Sequence, residues 1–172
     1  MVCGDRVGAV SIKDDLARIA LQEAKLRFTH FDEAAAWSLG LRLRTMAEAR
    51  KLAVVVDVRR FGQPLFYAAM AGTTPDNVEW VRRKSNLMAR FLRSSYAIGL
   101  SLQESGMTLT EKYGIAADDF VSHGGCFPIH VTQAGVVGSV TVSGLPQRED
   151  HELVVEALCA ELGLEYCALR LE

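Results

Sequence analysis

The chain has 172 residues and a mass of 18.8 kDa, with 49% hydrophobic and 23% charged residues. Nineteen basic residues against 21 acidic ones leave a net charge of −2 and a pI near 6.1, the wrong balance for a strongly basic nucleic-acid binder. A domain of this size buries about 70% of the surface its unfolded chain exposes, so it needs no metal or disulfide staple. One domain over residues 1–172 is the expectation.

No run of 18 apolar residues occurs, which excludes a spanning helix from the expectation. Met1 to Arg6 lacks the apolar stretch of a signal peptide, so a cytoplasmic protein is expected, with no membrane partner. The cysteines, Cys3, Cys126, Cys159 and Cys167, show no CxxC pairing and are expected as reduced thiols. Cys159 and Cys167 lie among apolar residues, where a thiol packs as a small hydrophobe.

Ser11-x-x-Asp14 reads as a capping pair ahead of Ile12, Leu16, Ile19 and Ala20, the spacing of an amphipathic helix. Leu26 to Phe31 favours a short strand. Asp32 then caps a second helix from Glu33 to about Lys51, with Ala36, Trp37, Gly40, Leu41 and Leu43 on a broad apolar face. Gly40 costs that helix roughly 1 kcal/mol against Ala, which points to close packing at this position.

Leu52–Arg59 and Leu65–Met70 flank Phe61-Gly62-Gln63-Pro64 and predict an antiparallel hairpin. Thr74 and Pro75 start a third helix, expected to run to about Ser94 with Val81, Met88, Phe91 and Leu92 inward. Its Arg82, Arg83, Lys84, Arg90 and Arg93 read as a solvated basic face, with Glu79 pairing to Arg83 at i,i+4. Tyr96–Gln103 is expected to continue this helix, and residues 105–122 to wrap the surface.

Phe127–Gln133 and Val136–Gly144 flank Ala134-Gly135 and predict a second hairpin. A last helix begins near Glu149-Asp150 and ends at Gly163, with His151 expected at its surface. Paired hairpins among helices make the expected class α+β.

No P-loop, G-x-G-x-x-G, G-x-S-x-G or H-E-x-x-H pattern is present. The most informative stretch is His123-Gly124-Gly125-Cys126-Phe127-Pro128. Two glycines can turn backbone N–H groups toward an anion, and a neighbouring histidine can donate, accept or ligate. A plain turn with a solvated His123 satisfies the same pattern. His123-x-x-Cys126-x-x-x-His130 resembles a fragment of a zinc site but lacks a fourth ligand, so no metal is expected.

Asp57 and Arg59 alternate with Val54, Val56 and Val58, while Ser139, Thr141 and Ser143 alternate with Val140 and Val142. If these polar faces meet, Arg59 and Ser143 line one side of a pocket in which Arg59 clamps a carboxylate. A solvated sheet face is the alternative.

A family resemblance rests on several of these stretches together. They are Asp57–Phe66, Gly72–Asn77, Trp80 with Arg83-Lys84, His123-Gly124-Gly125-x-Phe127-Pro128-Ile129, and Gly138–Pro146 followed by Asp150-His151. Over about residues 10–163 the chain resembles the uncharacterised branch of the HbpS/GlcG-like, haem-degrading-type domains. The resemblance implies a profilin-like three-layer α/β/α fold with a central antiparallel sheet of about five strands. It also implies homo-oligomers, dimeric or larger, and haem as the cofactor bound by HbpS-type relatives. Cys126 stands where relatives of this branch tend to carry a small Ser or Ala.

Three functions follow as expectations. The first is a small anionic or haem-like ligand held by Arg59, His123, Gly124, Gly125, Phe127, Pro128 and Ser143. A second is a non-catalytic assembly protein with Trp37, Trp80, Phe61, Phe66 and Phe127 as interface anchors. A third is an enzyme using His123 as acid or base.

Overall fold

The computed structural model describes residues 11–172, so the readings of Cys3 and of the Met1–Arg6 segment lie outside the described residues. The chain order is α1 (Ile12–Lys25), β1 (Arg27–Phe28), α2 (Glu33–Arg50), β2 (Val55–Arg60), β3 (Gln63–Ala69) and α3 (Pro75–Phe91). It continues with α4 (Ser95–Ser105), α5 (Leu109–Tyr113), β4 (Cys126–Val131), β5 (Gly135–Ser143), α6 (Gln147–Leu162) and α7 (Tyr166–Leu169).

Local chemistry sets most of these boundaries. Ser11 and Asp14 form a reciprocal capping box on α1, Asp32 caps α2 through Ala35 N–H, and Thr74 with Asn77 boxes the start of α3. Leu92 turns left-handed at φ 54° and ends α3, after which Ser94 caps α4 through Ala97 N–H. Residues 95–105 are therefore a new helix and no continuation of α3. The polar stretch after it holds α5, started by a Thr108–Glu111 capping box.

The five strands form one sheet in the order β1-β4-β5-β2-β3. Both expected hairpins are present and antiparallel, and β2 and β5 pair antiparallel at its centre. The edge pair differs: β1 runs parallel to β4, with Arg27 opposite His130, so the sheet is mixed and not wholly antiparallel. The fold is the expected three-layer α+β arrangement.

One sheet face is apolar. Val54, Val56, Val58, Val140, Val142, Phe127 and Ile129 pack there with Leu39 and Leu43 of α2 and Leu153, Val154 and Leu158 of α6. Gly40 lets α2 press onto the sheet, because a Cβ at this position would lie 2.2 Å from the Phe66 ring. Helices α3 and α4 cover the opposite face, which carries Asp57, Arg59, Ser139, Thr141 and Ser143.

Several side chains depart from expectation. His151 is buried in full between Tyr96 and Phe127, where its Nε2 pairs with Gln22 at 2.8 Å. Leu92 is half exposed, as are Trp37 and Leu41 on the outer side of α2. Arg82, and not Arg83, takes Glu79, while Arg83 donates to the Ala117 carbonyl. Cys167 is disulfide-bonded, whereas Cys126 and Cys159 are free.

Candidate functional site

Helix α3 is polar where it meets the sheet. Val81, Lys84, Ser85 and Met88 recur at helical spacing on its inward stripe, so Lys84 leaves the basic face and enters the interlayer space. Ser85 Oγ lies 3.2 Å from Thr141 Oγ1, and Thr141 donates to Cys126 Sγ. Burial pushes the Cys126 thiol up to about 11, so it is inert as a nucleophile near neutral pH.

Lys84 is 2% exposed. Its ammonium donates to Asp150 Oδ2 at 2.8 Å and to the Val142 carbonyl at 3.1 Å. Asp150, in the first turn of α6, also accepts the N–H groups of Gly144 and Leu145. Burial raises its carboxyl above the ordinary value, with Lys84 and the two amides pulling the other way.

Above this pair opens a cleft of about 410 Å³. Asn77, Trp80 and Lys84 of α3 form one wall, Ser143 to Pro146 a second, and Gln147 with Asp150 the start of α6. His123 stands at its mouth, its ring centred 5.1 Å from that of Trp80. Asp76 accepts the Trp80 indole N–H at 2.9 Å, and the Arg83 guanidinium lies over the indole ring. That indole is thus fixed on two sides. Partial desolvation, Lys84 and Arg83 together hold the His123 imidazole below its ordinary pKa, so it is neutral at pH 7.

His123 and Ser143 therefore share one cleft. Gly124 and Gly125 do not line it and are no cradle of free amides: Gly124 N–H donates to Gln147 Oε1, and both glycines pack tightly behind the lining. A Cβ on Gly124 would strike the Gln147 carbonyl at 2.1 Å. Gly125, at φ +120°, leaves no room for a Cβ beside the Val142 carbonyl and Lys84 Nζ. Phe127 is buried in the apolar core on the far side of the sheet.

Arg59 and Pro128 do not line the cleft. Both pair with Ser139, four residues before Ser143 on β5, a separation of about 13 Å along the strand. Nor is Arg59 free to clamp a ligand carboxylate bidentately, since Asp57 takes its Nε and Nη2 at 2.6 and 2.7 Å. The two polar strand faces do meet, but α3 covers them.

Trp80, Lys84 and Asp150 are the site residues that sequence reasoning passed over. The signal for Lys84 was its place three residues after Val81 and four before Met88, which puts it on the buried stripe. Among the described residues no group of three or more His, Cys, Asp or Glu side chains could hold a metal ion. None of them hydrogen-bonds His123 either, so the imidazole has no carboxylate to orient it as a base.

Comparison with known proteins bears on this architecture. The model of the haem-degrading HbpS-like family matches residues 31–159. The chain belongs to that family. A UPF0303 protein of Acidobacterium capsulatum is 60% identical over 162 residues, covering 94% of this chain and 98% of its own. Among solved structures, Ybr137w superposes with a TM-score of 0.79 at 27% identity, covering 84% of this chain and 86% of its own. The PduOC–haem complex gives 0.64 at 15% identity over 79% and 97%, a likeness of fold. No helix among the described residues is long and apolar enough to cross a membrane.

Proposed function

We propose that this HbpS-like protein binds a small organic anion in the His123–Trp80 cleft and assembles with copies of itself. The observation that carries the reading is the start of α6. Its N-cap is Pro146, which supplies no side-chain cap, and Pro146 and Gln147 line the cleft. The first amide of the helix, at Gln147, thus has no side-chain cap beside the cleft, with the positive end of the helix dipole behind it.

Lys84, its charge balanced by Asp150, adds a hydrogen-bond donor at the same place. It spends two of three ammonium donors on Val142 and Asp150, leaving one N–H for an anion. The Ser143 hydroxyl and the neutral His123 ring add a donor and an adaptable partner. Trp80 offers a flat apolar wall, so a carboxylate on a short organic body matches the lining.

Haem, implied by the family, matches less well. A porphyrin needs broad apolar walls, and this cleft is lined by polar Asn77 and Gln147 and by the Lys84–Asp150 ion pair. Of the other three histidines, His151 is sealed in the core, His130 sits half-buried on β4 opposite Arg27 and outside the cleft, and His30 is solvated. The residues do not fit the group.

Titration with acetate, pyruvate, citrate, phosphate and haemin, followed by calorimetry and by Trp80 fluorescence in a Trp37→Phe background, tests the reading. Saturable binding of a carboxylate that His123→Ala and Ser143→Ala each weaken is the expected result. A saturable Soret shift with haemin, abolished by His123→Ala, would overturn it in favour of haem.

A further inference from the structure

Lys84 lines the cleft and is nonetheless buried, so its amine is withdrawn from bulk water beside the space a ligand occupies. The other four lysines, Lys13, Lys25, Lys51 and Lys112, are exposed. The hydrogen-bond partners of Lys84 fix its position. Nζ lies 3.1 Å from the carbonyl of Val142, the residue before Ser143, and 2.8 Å from Asp150 Oδ2, in the first turn of the helix that Gln147 begins. The amine therefore stands next to both elements that offer a carboxylate its hydrogen bonds, Ser143 on β5 and the start of α6.

A primary amine is a nucleophile toward carbonyl carbon once it gives up its ammonium proton. Asp150 is a fixed acceptor for that proton, since the Gly144 and Leu145 N–H groups hold its carboxylate against Nζ. Burial raises the Asp150 carboxyl above its ordinary value, which favours its taking a proton. A 2-oxo acid carries its ketone carbon directly on the carboxylate. Anchoring that carboxylate at Ser143 and Gln147 brings the electrophilic carbon to the wall that Lys84 forms, and the Trp80 ring accommodates the short apolar remainder.

We propose that Lys84 captures a 2-oxo acid covalently, its amine forming an iminium with the ketone carbon while Asp150 carries the protons. This rests on the anion reading of the cleft and names its ligand class. The ammonium first passes a proton to Asp150 Oδ2. The nitrogen lone pair then bonds to the ketone carbon, and the C=O π pair moves to oxygen, which takes that proton from Asp150. Asp150 next accepts a second proton from nitrogen and delivers it to the new hydroxyl. Water leaves, and the nitrogen pair closes the C=N bond. Ammonium and ketone have become iminium and water, with one positive charge on each side and no oxidant or reductant consumed. The Asp150 carboxylate faces a cation before and after, so capture strands no buried charge.

Cyanoborohydride reduces an iminium to a stable secondary amine, so peptide mapping by mass spectrometry after incubation with pyruvate and cyanoborohydride reads where capture occurs. Lys84 should gain the reduced pyruvyl group at least about tenfold faster than Lys13, Lys25, Lys51 or Lys112. Lactate, which has the carboxylate and no ketone, should suppress the label on Lys84. Acetone, which has the ketone and no carboxylate, should label Lys84 no faster than the exposed lysines. Ser143→Ala should slow labelling in step with its loss of pyruvate binding. Saturable pyruvate binding by calorimetry with no label on Lys84 overturns the capture and leaves the anion site standing. No binding of any carboxylate, with no label, overturns the anion site as well. A label spread evenly over the five lysines, or one on Lys84 that saturating lactate leaves unchanged, overturns the seating of a 2-oxo acid in the cleft.

Discussion

The Lys84 ammonium and the Asp150 carboxylate meet at 2.8 Å across the seam between α3 and α6, with side chains 2% and 3% exposed. Removing one partner strands a buried charge, whereas removing both removes the need for either. Lys84→Met should therefore cost about 3–5 kcal/mol in denaturant unfolding. The double variant Lys84→Met/Asp150→Leu should recover much of that loss while abolishing anion binding. Equal stability of single and double variants would show that the pair is not coupled.

His151 makes stability depend on acid. Burial lowers its pKa from 6.5 to about 3, with Arg148 adding to the effect. The unfolded chain therefore binds this proton first. The stabilisation is complete above 6.5 and is lost as pH falls toward 3, at up to about 1.4 kcal/mol per pH unit. Asp150 acts in the opposite sense: its raised pKa makes acid stabilising and the benefit fades as pH rises through the folded value. Comparing wild type with His151→Gln between pH 4 and 7 isolates the histidine. A flatter curve for the variant is expected, and parallel curves would exclude this origin.

At Gly40, propensity and packing oppose each other. Alanine would gain roughly 1 kcal/mol of helix propensity. Its Cβ would lie 2.2 Å from the Phe66 ring, which must then move within a packed core. Packing wins, and Gly40→Ala should destabilise by about 1–3 kcal/mol. Adding Phe66→Leu should make alanine less costly at position 40. A stabilising Gly40→Ala would mean that the ring yields freely.

The fold was legible wherever local chemistry decides it. Caps at Ser11, Asp32 and Thr74 and the alternation at residues 54–58 and 139–143 follow from sequence neighbours, whereas Gly40 signalled close packing whose partner, Phe66 on β3, only the fold supplies. Long-range pairing decided the rest. A strand of two residues cannot state whether its partner runs parallel, so the β1–β4 edge was misread. Lys84 is buried because Asp150, 66 residues away, pairs with it, and His151 because Gln22, 129 residues away, takes its Nε2, while its Nδ1 stays without a partner among the described residues. The residue-type expectation of exposure had no access to those partners. Arg59 failed for another reason: alternation gives the face a residue occupies and not its row, and its row is about 13 Å from the cleft.

Gly125 joins the fold to the site most directly. At φ +120° it occupies backbone space that side chains rarely enter, and a Cβ would meet the Val142 carbonyl at 2.3 Å and Lys84 Nζ at 2.8 Å. The carbonyl belongs to the sheet and cannot retreat, because Val142 N–H is itself held by the Gly125 carbonyl at 2.8 Å. Gly125→Ala must therefore lift the 123–126 loop off β5. His123 moves with that loop, away from Trp80. The expected result is a loss of about 1–3 kcal/mol in stability, together with weaker anion binding and Trp80 emission that no longer responds to ligand. Gly62→Ala, in open space at the β2–β3 turn, is the control and should leave ligand binding unchanged. If Gly125→Ala bound the anion as wild type does, the loop would not be what positions His123.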